Sequence, residues 1–376
     1  MTSIKLHKPN VGVLSMQRVI NYGSFLQAYG LRQLLLQNGA ESVSFMDIEP
    51  GRILVDCPSN TVRRVKELFK LIMTGQIVER LRTHHFFPKV KRTFLESAWA
   101  QLGLENPDHT KFDLIVIGSD EVFNCCQESG AGYTPQLFGR IRAEVAPKVI
   151  TYAASFGYTT LPMLKQYGVA DEIADTLKDD EAISVRDVNS QDIVESLIGS
   201  RPPLHLDPVL MYGFKKEIEV YTESPTDEKY MIVYSYPERI KSREEVNAIR
   251  RFAKQNNLKI YCIFCYYNWG DRVVIPENPM EVLKWFKFAE CIVTDTFHGT
   301  IFSVITHSRF GSFIRTSNRN KLVSLLESVG LVSQSVDRPC ELSEKLLIDI
   351  DYSSVENRLD IERARTNSYL KQAIQE

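Results

Sequence analysis

The sequence lacks several features that would point to a membrane, secreted or nucleic-acid-binding protein. It contains no run of about 18 apolar residues, so no membrane-spanning helix is expected. The opening residues, MTSIKLHKPN, include no apolar segment typical of a secretory signal. A formal net charge of −2 gives no bulk attraction to nucleic acid. These absences favour a soluble globular protein, and we expect a cytoplasmic one.

The sequence also lacks a disulfide framework and a spaced set of metal ligands. Its seven cysteines are an odd number and are scattered, which fits a reducing compartment. Cys262 and Cys265 form a lone C-x-x-C inside an apolar segment, so we interpret them as core residues rather than zinc ligands. No metal site is expected, although Asp120 and Asp295 could meet in a cleft between two domains.

The features that are present indicate an enzyme-like α/β chain. Its 376 residues suggest two domains, with 44% hydrophobic and 24% charged residues. The segment VGVLSM predicts a strand, SFLQAYGLRQLLLQNG a helix and VSFMDI a second strand. Asn38 and Gly39 form a helix stop signal. A strand, crossover helix and strand in this order predict a parallel sheet.

Four further apolar segments predict strands that end in polar residues, namely FDLIVIGSDEVFN, KVITYAASFG, EAISVRD and LHLDPVLM. The charged segment 213–228 reads as a linker, and strand–helix alternation resumes after it. We therefore predict two doubly wound parallel-sheet domains, 1–212 and 229–345, facing each other across a cleft. Residues 346–376 predict a helix that packs back on the first domain.

A basic segment predicted to be helical lies at residues 58–100. Arg63 to Arg92 holds nine Lys or Arg residues against two Glu. The simple interpretation is a solvated helical face. The alternative is a groove for a pyrophosphate-linked or membrane-surface substrate. His84, His85 and His109 are expected at the protein surface.

Candidate site residues follow from the rule that ligands bind at the carboxyl ends of parallel strands. That rule selects 21–24, 118–120, 155–157, Arg186 and 295–300. In VTDTFHGTIFSVI a strand turns into a helix at His298. Helix amides near Gly299 and Thr300 are expected to lack intrahelical partners and, with Arg186, to clamp an anion. A histidine that titrates near neutrality can exchange protons there.

Each of these residues also has a purely structural interpretation. His298 could cap a helix or fill the core. Arg186 could pair with Asp187, while Asn21 and Gly23 could form only a cap and a turn. Ser119 and Asp120 could be turn formers.

Seven motifs in chain order carry a resemblance to a known family. They are NYGSFLQAYGL, VIGSDEVFN, TYAASFG, ISVRD, LDPVLM, NPMEVLKWFKFAECIVTDTFHGTIFSVI and NKLVSLLESVGL. Together they resemble the polysaccharide pyruvyl transferase family over about residues 11–330. The resemblance implies a GT-B-like pair of domains and transfer of a pyruvyl group from phosphoenolpyruvate to two sugar hydroxyls, forming a cyclic ketal.

The resemblance also implies roles for particular residues. His298 would be the acid/base and Arg186 a phosphoenolpyruvate clamp. A later basic contact falls among Arg315, Arg319 and Lys321, of which Arg319 is our choice. With the residues selected above, the predicted substrate-binding set is Asn21, Tyr22, Gly23, Ser119, Asp120, Asn124, Ser155, Thr296, Phe297, Gly299, Thr300 and Arg319. No cofactor is expected beyond phosphoenolpyruvate as donor.

The sequence departs from the family pattern at three positions. Thr296 stands where some relatives have arginine, which bears on one phosphate contact. Glu121 and Phe123 stand where many relatives have glutamine and tryptophan, which bears on acceptor shape.

The expected acceptor is a surface-polysaccharide precursor. The basic segment suggests that this precursor is linked to a lipid pyrophosphate and that the protein works at the inner face of the membrane. Two alternatives stay open: a glycosyltransferase using a nucleotide sugar, and an inactive glycan-binding relative.

Overall fold

The computed structural model describes residues 8–55, 86–105, 111–127, 130–141 and 145–375, and it contains two parallel sheets. The first sheet has the order β2-β1-β3-β4. Its strands are β1 (Asn10–Leu14), β2 (Ser42–Phe45), β3 (Leu114–Asp120) and β4 (Val149–Ala154). Every pairing within it is parallel, as the strand–helix alternation predicts.

The second sheet is also parallel and has the order β10-β9-β8-β5-β6-β7. The three-residue strand β7 was not predicted, because so short an edge strand leaves little periodic signal. The strands are β5 (Tyr230–Tyr234), β6 (Lys259–Ile263), β7 (Arg272–Val274), β8 (Cys291–Thr294), β9 (Phe310–Phe313) and β10 (Ser335–Val336).

Helices connect the strands and cover both sheets. In the first domain they are α1 (Tyr22–Gln37), a π-helical turn (Phe94–Ala98) leading into α2 (Trp99–Leu102), α3 (Leu161–Gln166), α4 (Ala170–Leu177), α5 (Val188–Ile198) and α6 (Pro208–Tyr212). The remaining helices are α7 (Lys215–Glu219), α8 (Arg243–Gln255), α9 (Val282–Lys287), α10 (Phe297–Ile305), α11 (Arg319–Val329), α12 (Leu342–Leu347) and α13 (Tyr352–Gln375). Short 3-10 turns occupy Pro135–Phe138, Pro279–Glu281, Val332–Gln334 and Pro339–Glu341.

The predicted β1–α1–β2 unit is confirmed, together with its start and stop signals. The Asn21 side chain accepts a hydrogen bond from the Gly23 amide at 2.7 Å and so caps the start of α1. The helix ends at Gln37, and Gly39 adopts a φ of 115°, a conformation that glycine reaches without strain. The helix therefore begins directly behind the carboxyl end of β1.

Two segments predicted as strands form only isolated bridges, at Ala182, Val185 and Leu204. The reason is that Ser184 replaces regular ladder bonds by hydroxyl bonds. Its hydroxyl oxygen accepts from the Ala153 amide at 2.9 Å, and its own amide donates to the Thr151 hydroxyl at 2.9 Å. LHLDPVLM stops being extended at Pro208, where α6 begins.

The C-terminal helix α13 packs back on the first domain, as predicted. The Tyr369 hydroxyl donates to the Thr151 carbonyl at 2.7 Å, and Asn38 donates to the Asn367 side chain at 2.9 Å. Leu359 and Leu370 are fully buried. A short helix, α7, lies within the segment read as a linker, and the domain boundaries themselves stay a prediction.

Several sequence predictions fall outside the described residues. Most of the basic segment does so, since residues 56–85 are not described, and the same holds for Cys57, His84, His85 and His109. Cys262 and Cys265 are described and fully buried, as expected for core cysteines. Within the described part of the chain, no helix is long and apolar enough to cross a membrane.

Docking of α13 gives a prediction about stability. Leu370→Ala should lower the free energy of unfolding by about 2–5 kcal/mol, because it removes a fully buried side chain. Ile361 lies on the same helix with 63% of its surface exposed, so Ile361→Ala should change stability by about 0.5 kcal/mol or less. Urea unfolding followed by circular dichroism measures both. Equal losses in the two variants would contradict the observed docking.

Candidate active site

A cavity of about 550 Å³ lies where the carboxyl ends of the two sheets face each other. The first domain contributes Asn21, Ser24, Asp120, Glu121, Tyr158 and Arg186 to its wall. The second contributes Tyr236, Arg239, Thr296, His298, Arg319 and Lys321. The two domains touch beneath it, where the rings of Tyr22 and Phe264 pack at 5.7 Å. In both domains the lining residues follow the carboxyl ends of strands, as the strand-end rule predicted.

His298 lies on the turn between β8 and α10, as the sequence predicted. The ring packs on Gly23, where a β-carbon would come within 2.2 Å of His298 Nδ1. Its Nε2 atom is buried and lies 3.6 Å from Asp207 Oδ2, slightly longer than a formed hydrogen bond. Nε2 has no hydrogen-bond partner within the described residues.

The first turn of α10 differs from the anion site expected from the sequence. The Gly299 amide donates to the Thr296 hydroxyl at 2.9 Å, and the Thr300 amide to the Thr296 carbonyl at 3.2 Å. Thr296 therefore caps the helix in the usual manner of a Ser or Thr N-cap. The Gly299 amide lacks an intrahelical partner as expected, but the capping hydroxyl occupies it. The expectation was wrong for Thr300, whose amide makes the first backbone bond of the helix.

Arg186 is almost completely buried and lies between carboxylates. Its Nη1 atom is 2.9 Å from Asp207 Oδ2, and Nη2 is 3.7 Å from Asp120 Oδ1. The guanidinium carbon also stacks over the Phe297 ring at 4.4 Å, while Nε has no partner within the described residues. Asp187 is not its ion-pair partner, since Asp187 caps α5 and accepts from Ser155 at 2.6 Å.

Burial and neighbouring charges shift the pKa values of these residues in opposite directions. Burial would lower the pKa of Arg186, but attraction from Asp207, Asp120 and Glu121 raises it above its ordinary value. Burial would raise the pKa of Asp207, but the His298 ring 3.6 Å away and the charge of Arg186 lower it. Asp207 is therefore a buried anion behind the lining residues Arg186 and His298.

A second ion pair spans the cavity from one domain to the other. Lys321 Nζ lies 2.7 Å from Glu121 Oε1, and the other oxygen accepts from Asn124 at 2.7 Å. Burial would raise the pKa of Glu121, but Lys321, Arg186 and Asn124 lower it to about 2. Glu121 thus stays ionised at any ordinary pH.

The three candidates for the later basic contact occupy different environments. Arg315 is paired with Asp295 and Glu245 and does not line the cavity. Arg319 lines the cavity but is paired with Asp337 at 2.7 Å, both side chains being more than half exposed. Lys321 lines it beside Glu121.

Arg239 is a further cation in the cavity wall, and the sequence analysis did not select it. Its guanidinium stacks over the Tyr236 ring at 4.9 Å. The described residues offer it no carboxylate partner within ion-pair distance. It follows β5 in the same way as the selected residues follow their strands, so the strand-end rule could have found it.

The predicted residues divide into a cavity-lining set and a supporting set. Asn21, Asp120, Arg186, Thr296, Phe297, His298 and Arg319 line the cavity. The structure does not bring the others to its surface: Tyr22, Gly23, Ser119, Asn124, Ser155, Gly299 and Thr300. Most of these hold a lining residue from behind. Ser155 binds Asp187, Asn124 binds Glu121, and Gly23 makes room for the His298 ring.

Asp207 is the residue that the sequence analysis missed. Asp207-Pro208 was read only as a strand break, and that local signal was correct since α6 begins there. The contacts of Asp207 with Arg186 and His298 had no local signal. Within the described residues, no group of three or more His, Cys, Asp or Glu side chains could hold a metal ion.

Comparison with solved structures identifies the architecture. Arabidopsis thaliana UGT89C1 complexed with UDP-L-rhamnose is similar to this chain, with a TM-score of 0.50 and 10% identity over 98% of this chain and 100% of that one. S. aureus MnaA in its co-structure with UDP gives a TM-score of 0.47 and 12% identity over 98% and 91% of the two chains. The likeness to UGT89C1 shows the fold alone, which is GT-B-like.

Comparison of the sequence gives the family. None of the curated proteins matches this sequence. The family model described as "Polysaccharide pyruvyl transferase" matches residues 21–313, which covers the chain from α1 to β9 and the lining residues from Asn21 to His298. The chain belongs to the polysaccharide pyruvyl transferase family.

Proposed function

We propose that the protein transfers a pyruvyl group from phosphoenolpyruvate to two hydroxyls of one sugar in a surface-polysaccharide precursor, forming a cyclic ketal. Membership of the family supports pyruvylation of a polysaccharide. The observation that carries the finer proposal is that a buried guanidinium and a buried imidazole, both lining the cavity, face the same carboxylate oxygen. Arg186 and His298 both face Asp207 Oδ2, at 2.9 and 3.6 Å.

The donor is a small, strongly anionic molecule, and the cavity has cations suited to it. Arg186 lines the cavity, and its guanidinium offers N–H donors in the geometry that a carboxylate or phosphate accepts from. Lys321 and Arg239 line the same cavity. We assign them, with Arg319, to the donor side. Because most of these cations already face carboxylates, donor binding exchanges ion pairs rather than filling a purely positive pocket.

His298 then performs the proton transfers. It gives a proton to the methylene carbon, which becomes a methyl group, and the central carbon becomes an oxocarbenium-like centre. One sugar hydroxyl adds to that centre and loses its proton to His298. A second hydroxyl of the same sugar replaces phosphate at the same carbon, and its proton leaves with the phosphate. No oxidant or cofactor enters this balance, and such acid/base catalysis typically contributes about 10²- to 10⁴-fold in rate.

The first domain forms most of the acceptor side. Tyr158 of that domain is 50% exposed and Tyr236 of the second domain 36% exposed, so each presents part of a ring to a sugar. The predicted residues Asn21 and Asp120 add polar groups to the same wall.

If the acceptor is carried on a lipid pyrophosphate, the basic segment would bind that carrier and place the protein at the cytoplasmic face of the membrane. Neutralising Arg63, Arg64 and Lys66 should then slow lipid-linked but not free acceptors.

The donor is tested by thermal unfolding with phosphoenolpyruvate or with UDP- and GDP-sugars. A ligand at about a hundredfold its dissociation constant adds roughly 2.7 kcal/mol, which is about 3 °C for a chain of this length. We expect the shift with phosphoenolpyruvate. A shift only with a nucleotide sugar would point to a glycosyltransferase. A shift with glycan but with neither donor would point to an inactive glycan-binding relative.

The role of His298 gives a kinetic prediction. His298→Gln should lower kcat by about 10²- to 10⁴-fold because proton transfer is lost, while the thermal shift with phosphoenolpyruvate persists. His307→Gln is the matched control, since His307 lies just beyond the same helix, is half exposed and binds Glu356 at 3.1 Å. That variant should keep its turnover. Full activity in His298→Gln would exclude the proposed acid/base.

The donor contacts give a second prediction. Lys321→Ala should raise the KM for phosphoenolpyruvate by about tenfold or more, since a charge-assisted hydrogen bond is worth roughly 1.5–3 kcal/mol. Arg319→Ala should raise it less, because Arg319 is more exposed and paired outside the cavity with Asp337. Steady-state kinetics of both variants decide the order. A larger rise in KM for Arg319→Ala than for Lys321→Ala would favour Arg319, the residue chosen from the sequence, as the donor contact.

A further inference from the structure

We infer that Asp207 is a positioning residue that holds His298 with a proton on Nε2, so that Nδ1 is the atom that exchanges protons with the substrates. The inference rests on the proposed function for the reaction, but its structural part concerns only the state of the imidazole ring. It adds Asp207 to the residues on which turnover depends, although Asp207 is 1% exposed. It also assigns the proton transfer to one of the two ring nitrogens.

The first step is that Asp207 can only accept a hydrogen bond from His298. Arg186 Nη1 lies 2.9 Å from Oδ2, and this buried cation keeps the carboxylate ionised. An ionised carboxylate has acceptor atoms alone. His298 Nε2, buried 3.6 Å from the same oxygen, must therefore carry hydrogen to gain from the contact. Catalytic hydrogen bonds that are long in a ligand-free protein commonly shorten in the substrate complex.

The second step is that the carboxylate is held in place independently of His298. Oδ1 accepts from the Val209 amide at 3.0 Å and caps α6. Oδ2 faces Arg186, and the Ser119 hydroxyl lies 3.5 Å away. A group fixed by its own backbone and by other donors can orient a ring, as carboxylates do for catalytic and metal-bound histidines.

The third step identifies the nitrogen that remains. His298 lines the cavity, yet Nε2 is fully buried, so the exposed edge of the ring is not Nε2. The other nitrogen, Nδ1, lies beside Gly23. Asn21 and Ser24, on either side of that glycine, line the cavity themselves. Because Nε2 is buried, Nδ1 is the ring nitrogen that we assign to the substrate side.

These contacts define the proton cycle at His298. The doubly protonated ring breaks its Nδ1–H bond as the methylene carbon gains a C–H bond. The neutral ring, with hydrogen still on Nε2, then takes the proton of the attacking hydroxyl onto Nδ1. The charge of Asp207 stabilises the ring when both nitrogens carry hydrogen. Because the same oxygen faces Arg186, donor binding and proton transfer depend on one carboxylate.

The test is nitrogen-15 NMR of the full-length protein labelled at histidine, recorded at a pH where the ring is neutral. His298→Gln identifies the His298 signals. We expect wild-type His298 to carry hydrogen on Nε2 and none on Nδ1. The opposite tautomer in the wild type would overturn the inference, and this measurement needs no variant of Asp207 to fold.

Asp207→Asn is the matching variant. It keeps the size and the helix-capping oxygen but places an amide donor toward Nε2, which should move the hydrogen to Nδ1. We expect a fall in kcat of up to about 10⁴-fold, the size seen when a catalytic histidine is held in the wrong tautomer. KM for the donor is recorded separately, since Arg186 also loses a charged partner. An unchanged tautomer in folded Asp207→Asn would overturn the inference.

The control is Asp192→Asn, which removes an exposed carboxylate paired with Arg201. It should leave both the His298 tautomer and the turnover unchanged. The two proposals fail in different ways. If the wild type shows hydrogen on Nε2 but does not use phosphoenolpyruvate, the proposed reaction fails and the tautomer assignment stands.

Discussion

The buried charge of Asp207 is the constraint on which the site depends. A carboxylate without water must be paired, and here one oxygen faces both Arg186 and His298. Arg186 comes from the first domain, and His298 begins the second-domain helix α10. The contact therefore joins the proposed anion-binding group to the proposed proton-transfer group, and it links the two domains. Removing Arg186 would leave the charge of Asp207 uncompensated in the interior.

The rest of the cavity follows the same rule, since most of its cations are paired before any ligand arrives. Lys321 is held by Glu121 across the cleft, and Arg319 by Asp337 at the rim. Such pairing restricts the rotamers of side chains that would otherwise be free, and the proposed anionic donor would bind by replacing a carboxylate. Arg239, stacked on Tyr236, has no carboxylate partner within the described residues.

Much of the fold was predictable because apolar strands and amphipathic helices alternate along the chain. The prediction failed where side chains replaced the backbone ladder, as at Ser184, and where a strand was as short as β7. The strand-end rule found His298, Arg186 and Asp120 because it depends only on where each strand stops. It also selected residues such as Ser155 and Thr300, which follow strands but point into the protein and bind other side chains.

The sequence by itself determined the two parallel sheets, the position of His298 on a strand-to-helix turn, and the family. These properties are local, since they depend on periodicity, caps and motifs within a few residues. Tertiary structure alone decided which charges meet. Asp207 is distant in the chain from His298, and Glu121 from Lys321, so neither contact leaves a trace in the residues next to it. Burial then gives these contacts their strength, because ion pairs and unpaired polar atoms gain importance only where water is excluded.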